Sequence, residues 1–440
     1  MGGAAGPTRS SIRTAARCRE RAPRLLTALI GVAFLLTACT AGNPGEPSSP
    51  PGSIPGSVSS PVSGTVDPAQ ADRIRKVINE VRASSHLKAT IVRVTAGDQE
   101  IITEAFGDSM TGVPATTDMH FRNGAVAISY VATLLLQLVD EKKLSLDDKV
   151  SKWLPDLRYA DQVTLGQLAQ MTSGYADYVA TPEMSDALYA DPFRQWTPEE
   201  LIAYSTKQPL VYKPGTNWNY AHTNYVILGL VLEKVTGRPV DQLIQEKVLS
   251  PLGLDNTRAP GTPAIQEPAL QTFTSERRAF LKLKPRVKFY EESTYWNPSW
   301  TITRGAIQTT NIYDMNATAV AIGTGKLLSP ESYQKMITRD LIGKTTAVKG
   351  CPTCLPQSVG YSYGLGIVTT GNWLTQNPLF SGAAGAFGYH SENKIAIAVA
   401  TTFEPTAFDP ASGAYQNAAD LLWRRIGQIM VPDDPPPIKK

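Results

Sequence analysis

FRNGAVAISYVATLLLQLVDEKKL, Phe121 to Leu144, decides how the rest of this chain is read. Val131, Leu134, Leu135, Leu138 and Val139 recur at the three- and four-residue spacing of a helix with one apolar face. Glu141, Lys142 and Lys143 then mark a wet end. A buried helix is therefore expected here, with Phe121-Arg122-Asn123-Gly124 leading into it and Ala125-Val126-Ala127-Ile128 forming its first turn.

Upstream of this helix the chain changes character three times. Residues 1–38 place Arg9, Arg13, Arg17, Arg19, Arg21 and Arg24 before the apolar run LLTALIGVAFLLTA, the pattern of a secretory signal and too short for a comfortable membrane span. The run ends in Leu36-Thr37-Ala38-Cys39, which resembles a bacterial lipobox and implies that Cys39 is the lipidated first residue of an extracytoplasmic protein held at the cell membrane. The plainer reading is an ordinary Cys after a cleaved signal. Residues 39–67 are rich in Pro, Gly and Ser and hold too little apolar surface to fold, so they are expected to be a spacer. The folded body is expected over 68–430, followed by a Pro-rich tail at 431–440. It should open with a helix carrying Ile74, Val77, Ile78 and Val81, then a hairpin of LKATIVRVTAG and QEIITEAFG about Gly97-Asp98.

Charge excludes one class of partner. The chain has 42 Lys and Arg against 39 Asp and Glu, for a net +3. Residues 1–38 hold six Arg and one Glu, so the remainder carries 36 basic and 38 acidic side chains, a net −2. Nothing in that balance invites nucleic acid.

Phe121-Arg122-Asn123-Gly124 resembles the opening of the penicillin-recognising serine hydrolases, the class C β-lactamases, D-Ala-D-Ala carboxypeptidases and related esterases, in which F-R-x-G runs straight into S-x-x-K. LSLDDKVSKWLPD (Leu144 to Asp156), VTLGQLAQMTSGY (Val163 to Tyr175), PGTNWNYAHTNYVILGLVLEKVTG (Pro214 to Gly237) and VLSPLGLDNT (Val248 to Thr257) are similar to that family's scaffold phrases in their usual order. Together they cover most of residues 68–426. The resemblance implies an α/β fold of the α+β type, β-lactamase/transpeptidase-like: an antiparallel sheet flanked by helices, with a mainly helical lobe around residues 150–250. Local signals agree with it. In WTPEEL, Thr197 is placed to cap a helix, Pro198 to start it and Glu200 to close a capping box. YSYGLGIV and KIAIAVATTF alternate as strands, and a helix from about Ala418 to Ile426 is expected to cover them.

The same resemblance locates the chemistry, and the residues depart from it at three places. Where the family has its Ser and Lys, this chain has Ala125 and Ile128, which can neither attack a carbonyl nor accept a proton. Ser129 does not restore the motif, because the residue three further on is Ala132; it is expected to be a helix-surface or hydrogen-bonding Ser. Where the family has Y-x-N, the chain reads Tyr220-Ala221-His222. His222 is either an acid/base partner for Tyr220 or, the expected case, a loop His satisfied by backbone groups. The strand motif H-x-G or K-T-G has two placements, Phe380-Ser381-Gly382 and Ala383-Ala384-Gly385, and neither supplies His or Lys. Tyr220, His222, Ser381, Gly382 and Gly385 are the expected binding residues.

Cys351 and Cys354 stand as CPTC in a polar loop rich in Gly and Pro, away from any strand-to-helix start, so a local disulfide is preferred to a thioredoxin-type redox pair or half a zinc site. His86, His120 and His390 are scattered without metal spacing. Neither a metal nor a cofactor is expected. Three readings of function remain: a non-catalytic binding protein at the cell envelope, taking a peptidoglycan-derived peptide or an envelope protein; a serine-hydrolase-like enzyme with its nucleophile relocated near Tyr220 and His222; and a structural lipoprotein without a ligand.

Overall fold

The computed structural model describes residues 68–259 and 261–438; the signal, Cys39 and the spacer lie outside them. Helix α1 (Pro68–Ser84) buries Ala71, Ile74, Ile78 and Val81. Strands β1 (Leu87–Ala96) and β2 (Gln99–Met110) follow as an antiparallel hairpin, with Ala96 opposite Gln99. The two-residue turn is Gly97-Asp98, and Gly97 takes the positive φ (57°) that such a turn requires.

The hairpin forms one flank of a nine-stranded sheet. β1 pairs with Ile395–Phe403, which pairs in turn with Ala383–His390, then Trp373–Gln376, Val368–Thr370 and Ser362–Tyr363, every pairing antiparallel. Ile395–Phe403 is a strand, as expected, and is buried along its whole length. Ile395, Ile397 and Val399 share a core with α1 and helix Ala418–Met430, whereas Ala396, Ala398 and Ala400 share the other core with helix Ile312–Thr324. The alternation is thus one of size: helices cover both faces, and small Ala side chains let one of them approach closely. YSYGLGIV is likewise two strands rather than one. Gly366, at φ 72°, turns the chain between Ser362–Tyr363 and Val368–Thr370.

The helical lobe contains Leu165–Ala169, Pro182–Ala190, Pro198–Thr206, His222–Thr236 and Val240–Ile244. Thr197 Oγ1 accepts from Glu200 N and Thr197 N donates to Glu200 Oε2, which completes the capping box. Against this lobe and the sheet lies helix α2, which spans Val126–Asp140 and is buried nearly all round. Ahead of it, Phe121-Arg122 form a short strand with Thr309-Thr310. Asn123 and Gln308 clamp this entry: Asn123 Nδ2 donates to Gln308 Oε1 (2.7 Å), and Gln308 N donates to Asn123 Oδ1 (2.9 Å). Gly124 follows at φ 51°, where a Cβ would lie 2.3 Å from Pro378 Cβ and 2.8 Å from Phe380 Cε1. Only Gly lets the start of α2 close on the Pro378–Phe380 segment.

The final segment is no free tail. Trp373 Nε1 donates to Asp434 O (2.9 Å), His390 Nε2 lies 3.1 Å from Asp434 Oδ2, and Arg424 Nη1 donates to Pro437 O (2.6 Å). The folded body therefore runs to Pro437, and His390 has a carboxylate partner. Among the described residues no helix is long and apolar enough to cross a membrane.

Candidate functional site

The start of α2, the Tyr220–His222 segment, Trp300–Ile302 and Gln376–Phe380 enclose a cleft of about 320 Å³. Ala125 is the residue before the first turn of α2 and has no capping side chain; Ile128, one turn on, is 1% exposed and faces the same cleft. Ser129 points elsewhere. It is fully buried, and its Oγ donates to Gly366 O at 2.7 Å, so it ties α2 to the turn between two strands. Gln376 Nε2 donates to the same carbonyl (2.8 Å) and to Ser129 Oγ (3.4 Å).

His222 is the first residue of helix His222–Thr236 and sits at the cleft with Tyr220, their rings edge to face at 5.3 Å. Its partner is not the backbone but Asp177. The carboxylate accepts from His222 N (3.1 Å) and lies 3.2 Å from Nδ1 through each of its oxygens. Asp177 also accepts from Val179 N (3.3 Å), capping the turn Tyr178–Ala180. One carboxylate thus closes two backbone starts and orients a ring; a negative group is favoured at such a helix N-terminus. His222 spends Nδ1 on Asp177, so the nitrogen left to meet a ligand is Nε2. Burial, reinforced by Tyr361 and Asp177, pushes the Tyr220 phenol well above its ordinary range and keeps it protonated.

On the strand side the two placements of the third motif separate. Phe380 lines the cleft and packs edge to face on Trp300 at 6.3 Å. Ala383-Ala384-Gly385 instead opens strand Ala383–His390 inside the sheet. Ser381, Gly382 and Gly385 do not line the cleft, contrary to expectation. Ser381 O accepts from Ser293 Oγ (2.7 Å), Ser381 N donates to Glu276 Oε1 (3.2 Å), and Gly382 N donates to the Tyr415 hydroxyl (2.9 Å). Gly385 sits against Pro378 and Met315. These groups hold the turn behind Phe380.

Among the described residues lining the cleft there is no Ser, Cys, Lys or Arg; Thr301 brings a hydroxyl, which donates to Pro298 O at 2.6 Å. Cys351 and Cys354 are joined by a disulfide, and Thr353 between them donates to Asn219 Oδ1 at 2.6 Å, pinning that loop beside Tyr220. No group of three metal-ligating side chains occurs among the described residues. Asp177 and Trp300 belong to the site without having been expected there. Asp177 had one signal: it lies two residues past the quoted stretch that ends at Tyr175.

A family model described as Beta-lactamase matches residues 74–421. Penicillin-binding protein 4 of Amycolatopsis lactamdurans is 35% identical over 150 residues, which are 33% of this chain and 37% of that protein. The putative penicillin-binding protein PbpX of Bacillus subtilis (strain 168) is 27% identical over 281 residues, 61% of this chain and 64% of that protein. This chain therefore spans from about a third to just under two thirds of the length of these two relatives. Among solved structures, the D-stereospecific amidohydrolase from Streptomyces sp. has a TM-score of 0.64 at 24% identity, covering 81% of this chain and 98% of that one. The D-amino acid amidase from Ochrobactrum anthropi SV3, complexed with L-phenylalanine amide, gives 0.67 at 20%, covering 83% and 99%. Together with the family match, these two likenesses give the fold, β-lactamase/transpeptidase-like.

Proposed function

Because the chain belongs to the beta-lactamase family, we propose that it keeps that family's cleft as a binding site and has given up acyl-enzyme chemistry. One observation carries this reading. Ala125 and Ile128 face the cleft where the resemblance calls for Ser and Lys, and Phe380 stands where it calls for a strand Lys or His. Covalent catalysis needs a nucleophile and a base within hydrogen-bond reach; a methyl group and an aliphatic chain supply neither. The arginine-rich leader and Cys39 support a place outside the cytoplasmic membrane, anchored by lipid. A peptidoglycan-derived peptide or an envelope protein is the partner that such a place favours. No cofactor enters this reading.

A second reading has its own observation. The Asp177–His222 pair beside Tyr220 has the base-and-orienter arrangement of a relocated hydrolase centre. Incubating the purified protein with a labelled penicillin and with a fluorophosphonate separates the two. No stable label is expected. Stoichiometric labelling overturns the binding-protein reading, and an adduct mapped to Thr301 or Tyr220 establishes the relocated one.

A further inference from the structure

The lining of the cleft carries a charge preference that the loss of catalysis does not by itself require. Resting on the reading of this cleft as a binding site, we propose that it takes an uncharged ligand, a single amide- or ester-capped residue with an aromatic side chain, and excludes ligands that end in a free carboxylate, with Phe380 as the residue that sets this choice.

Three features converge on it. No Lys or Arg is among the described residues lining the cleft, and Phe380, which opens the one placement of the strand motif that reaches the cleft, stands where the resemblance implies a cationic or hydrogen-bonding group. An ionised carboxylate entering here would exchange its water for the Tyr220 phenol and the His222 ring, with no Lys or Arg to offset its charge, which is unfavourable. Next, the amide of Gln376 has both N–H groups engaged, on Gly366 O and Ser129 Oγ, so what it offers a ligand is its carbonyl oxygen. That oxygen accepts from an amide N–H and repels a carboxylate. Finally, the walls are rings. Trp300 stands 6.3 Å from Phe380 and 6.1 Å from His222, and Tyr220 is edge to face with His222. Such walls suit another ring in offset or edge-to-face contact. At about 320 Å³ the cleft lies at the lower end of the sizes found for small-molecule pockets, which fits one capped residue within it.

The test compares N-acetyl-tyrosinamide with N-acetyl-tyrosine, each as both enantiomers, by ligand-observed NMR titration against the full purified protein. The amide is expected to bind about tenfold or more tightly than the acid, in at least one enantiomer. In Phe380→Lys the preference should shrink or reverse. In Phe380→Leu, which keeps the site apolar, it should persist even if Phe380→Lys fails to fold. Equal or tighter binding of the acid by the parent protein, or no binding of either probe, overturns the proposal. Chromatography of the same samples reads hydrolysis of the amide separately: turnover would sink the non-catalytic reading and leave the charge preference standing.

Discussion

The imidazole of His222 presents Nδ1 to both carboxylate oxygens of Asp177 at 3.2 Å, across 45 residues of sequence. The same carboxylate accepts the backbone N–H of His222 and of Val179, so it joins the start of helix His222–Thr236 to the turn Tyr178–Ala180. Removing it should be felt as lost caps. Asp177→Ala is expected to cost about 2–3 kcal/mol in urea unfolding, since two N–H groups and a ring lose their acceptor. Asp177→Asn, which keeps one acceptor oxygen, should cost about 1 kcal/mol. An Asp177→Ala protein as stable as the parent would show that the pair does not hold these segments together.

A second prediction concerns pH and lies behind Phe380. Glu276 accepts from the Tyr415 hydroxyl (3.0 Å) and from Ser381 N, and burial pushes its carboxyl from the ordinary 4.5 up to about 7 despite those bonds. The folded state therefore holds a proton on Glu276 that the unfolded chain has released. Stability from this group is complete below about pH 4.5 and declines as pH rises toward 7, because unfolding then gains by freeing the proton. Glu276→Gln, neutral at every pH, should flatten that part of the profile when unfolding midpoints are compared at pH 5 and pH 8. An unchanged slope in the variant would assign the pH dependence to other groups.

Location gives a third. If Cys39 is lipidated, the protein fractionates with membranes, and Cys39→Ser releases it or stalls its processing. Among the described residues no other segment is long and apolar enough to hold it there as a spanning helix. Membrane association that survives the substitution would count against the anchor.

The parts of the fold that were legible beforehand are those with local causes. Gly97-Asp98 sets its hairpin by turn chemistry, Thr197 and Glu200 cap their helix by spacing, and the Leu134-Leu135-Leu138 run announces a buried helix. Where local signals competed, the structure departed from them. Gly366 breaks a strand whose residues otherwise alternate well. The site was legible as three motif positions, yet its walls were not. Trp300 lies in a short turn without periodicity, Asp177 reaches His222 across 45 residues, and both placements of the strand motif carry a Gly at their third position. Only the sheet register, which seats Ala383-Ala384-Gly385 opposite Thr402-Thr401-Ala400, separates those placements.

The last prediction tests whether the cleft retains any readiness for catalysis. In the resembled enzymes a Lys amine beside the Ser is kept charged or poised by polar neighbours. Here Ile128 is 1% exposed, and among the described residues lining the cleft with it there is neither Asp nor Glu. Ile128→Lys should therefore destabilise the protein by about 2–4 kcal/mol in chemical unfolding, as a buried amine without a partner does. Adding Ala125→Ser gives a hydroxyl within one turn of that amine, but it should not produce labelling by a penicillin. His222, where the resemblance has its Asn, is committed to Asp177, and Phe380 offers nothing to a ligand carboxylate. His222→Asn on top of both changes would restore the second motif and still leave the strand motif empty, so acylation should remain absent until Phe380 is also replaced by Lys or His. A double variant that labels readily and unfolds like the parent would mean that the cleft is still organised around an absent nucleophile, with the loss confined to two side chains. A binding role would then have to explain why the remaining machinery persists around a site that no longer reacts.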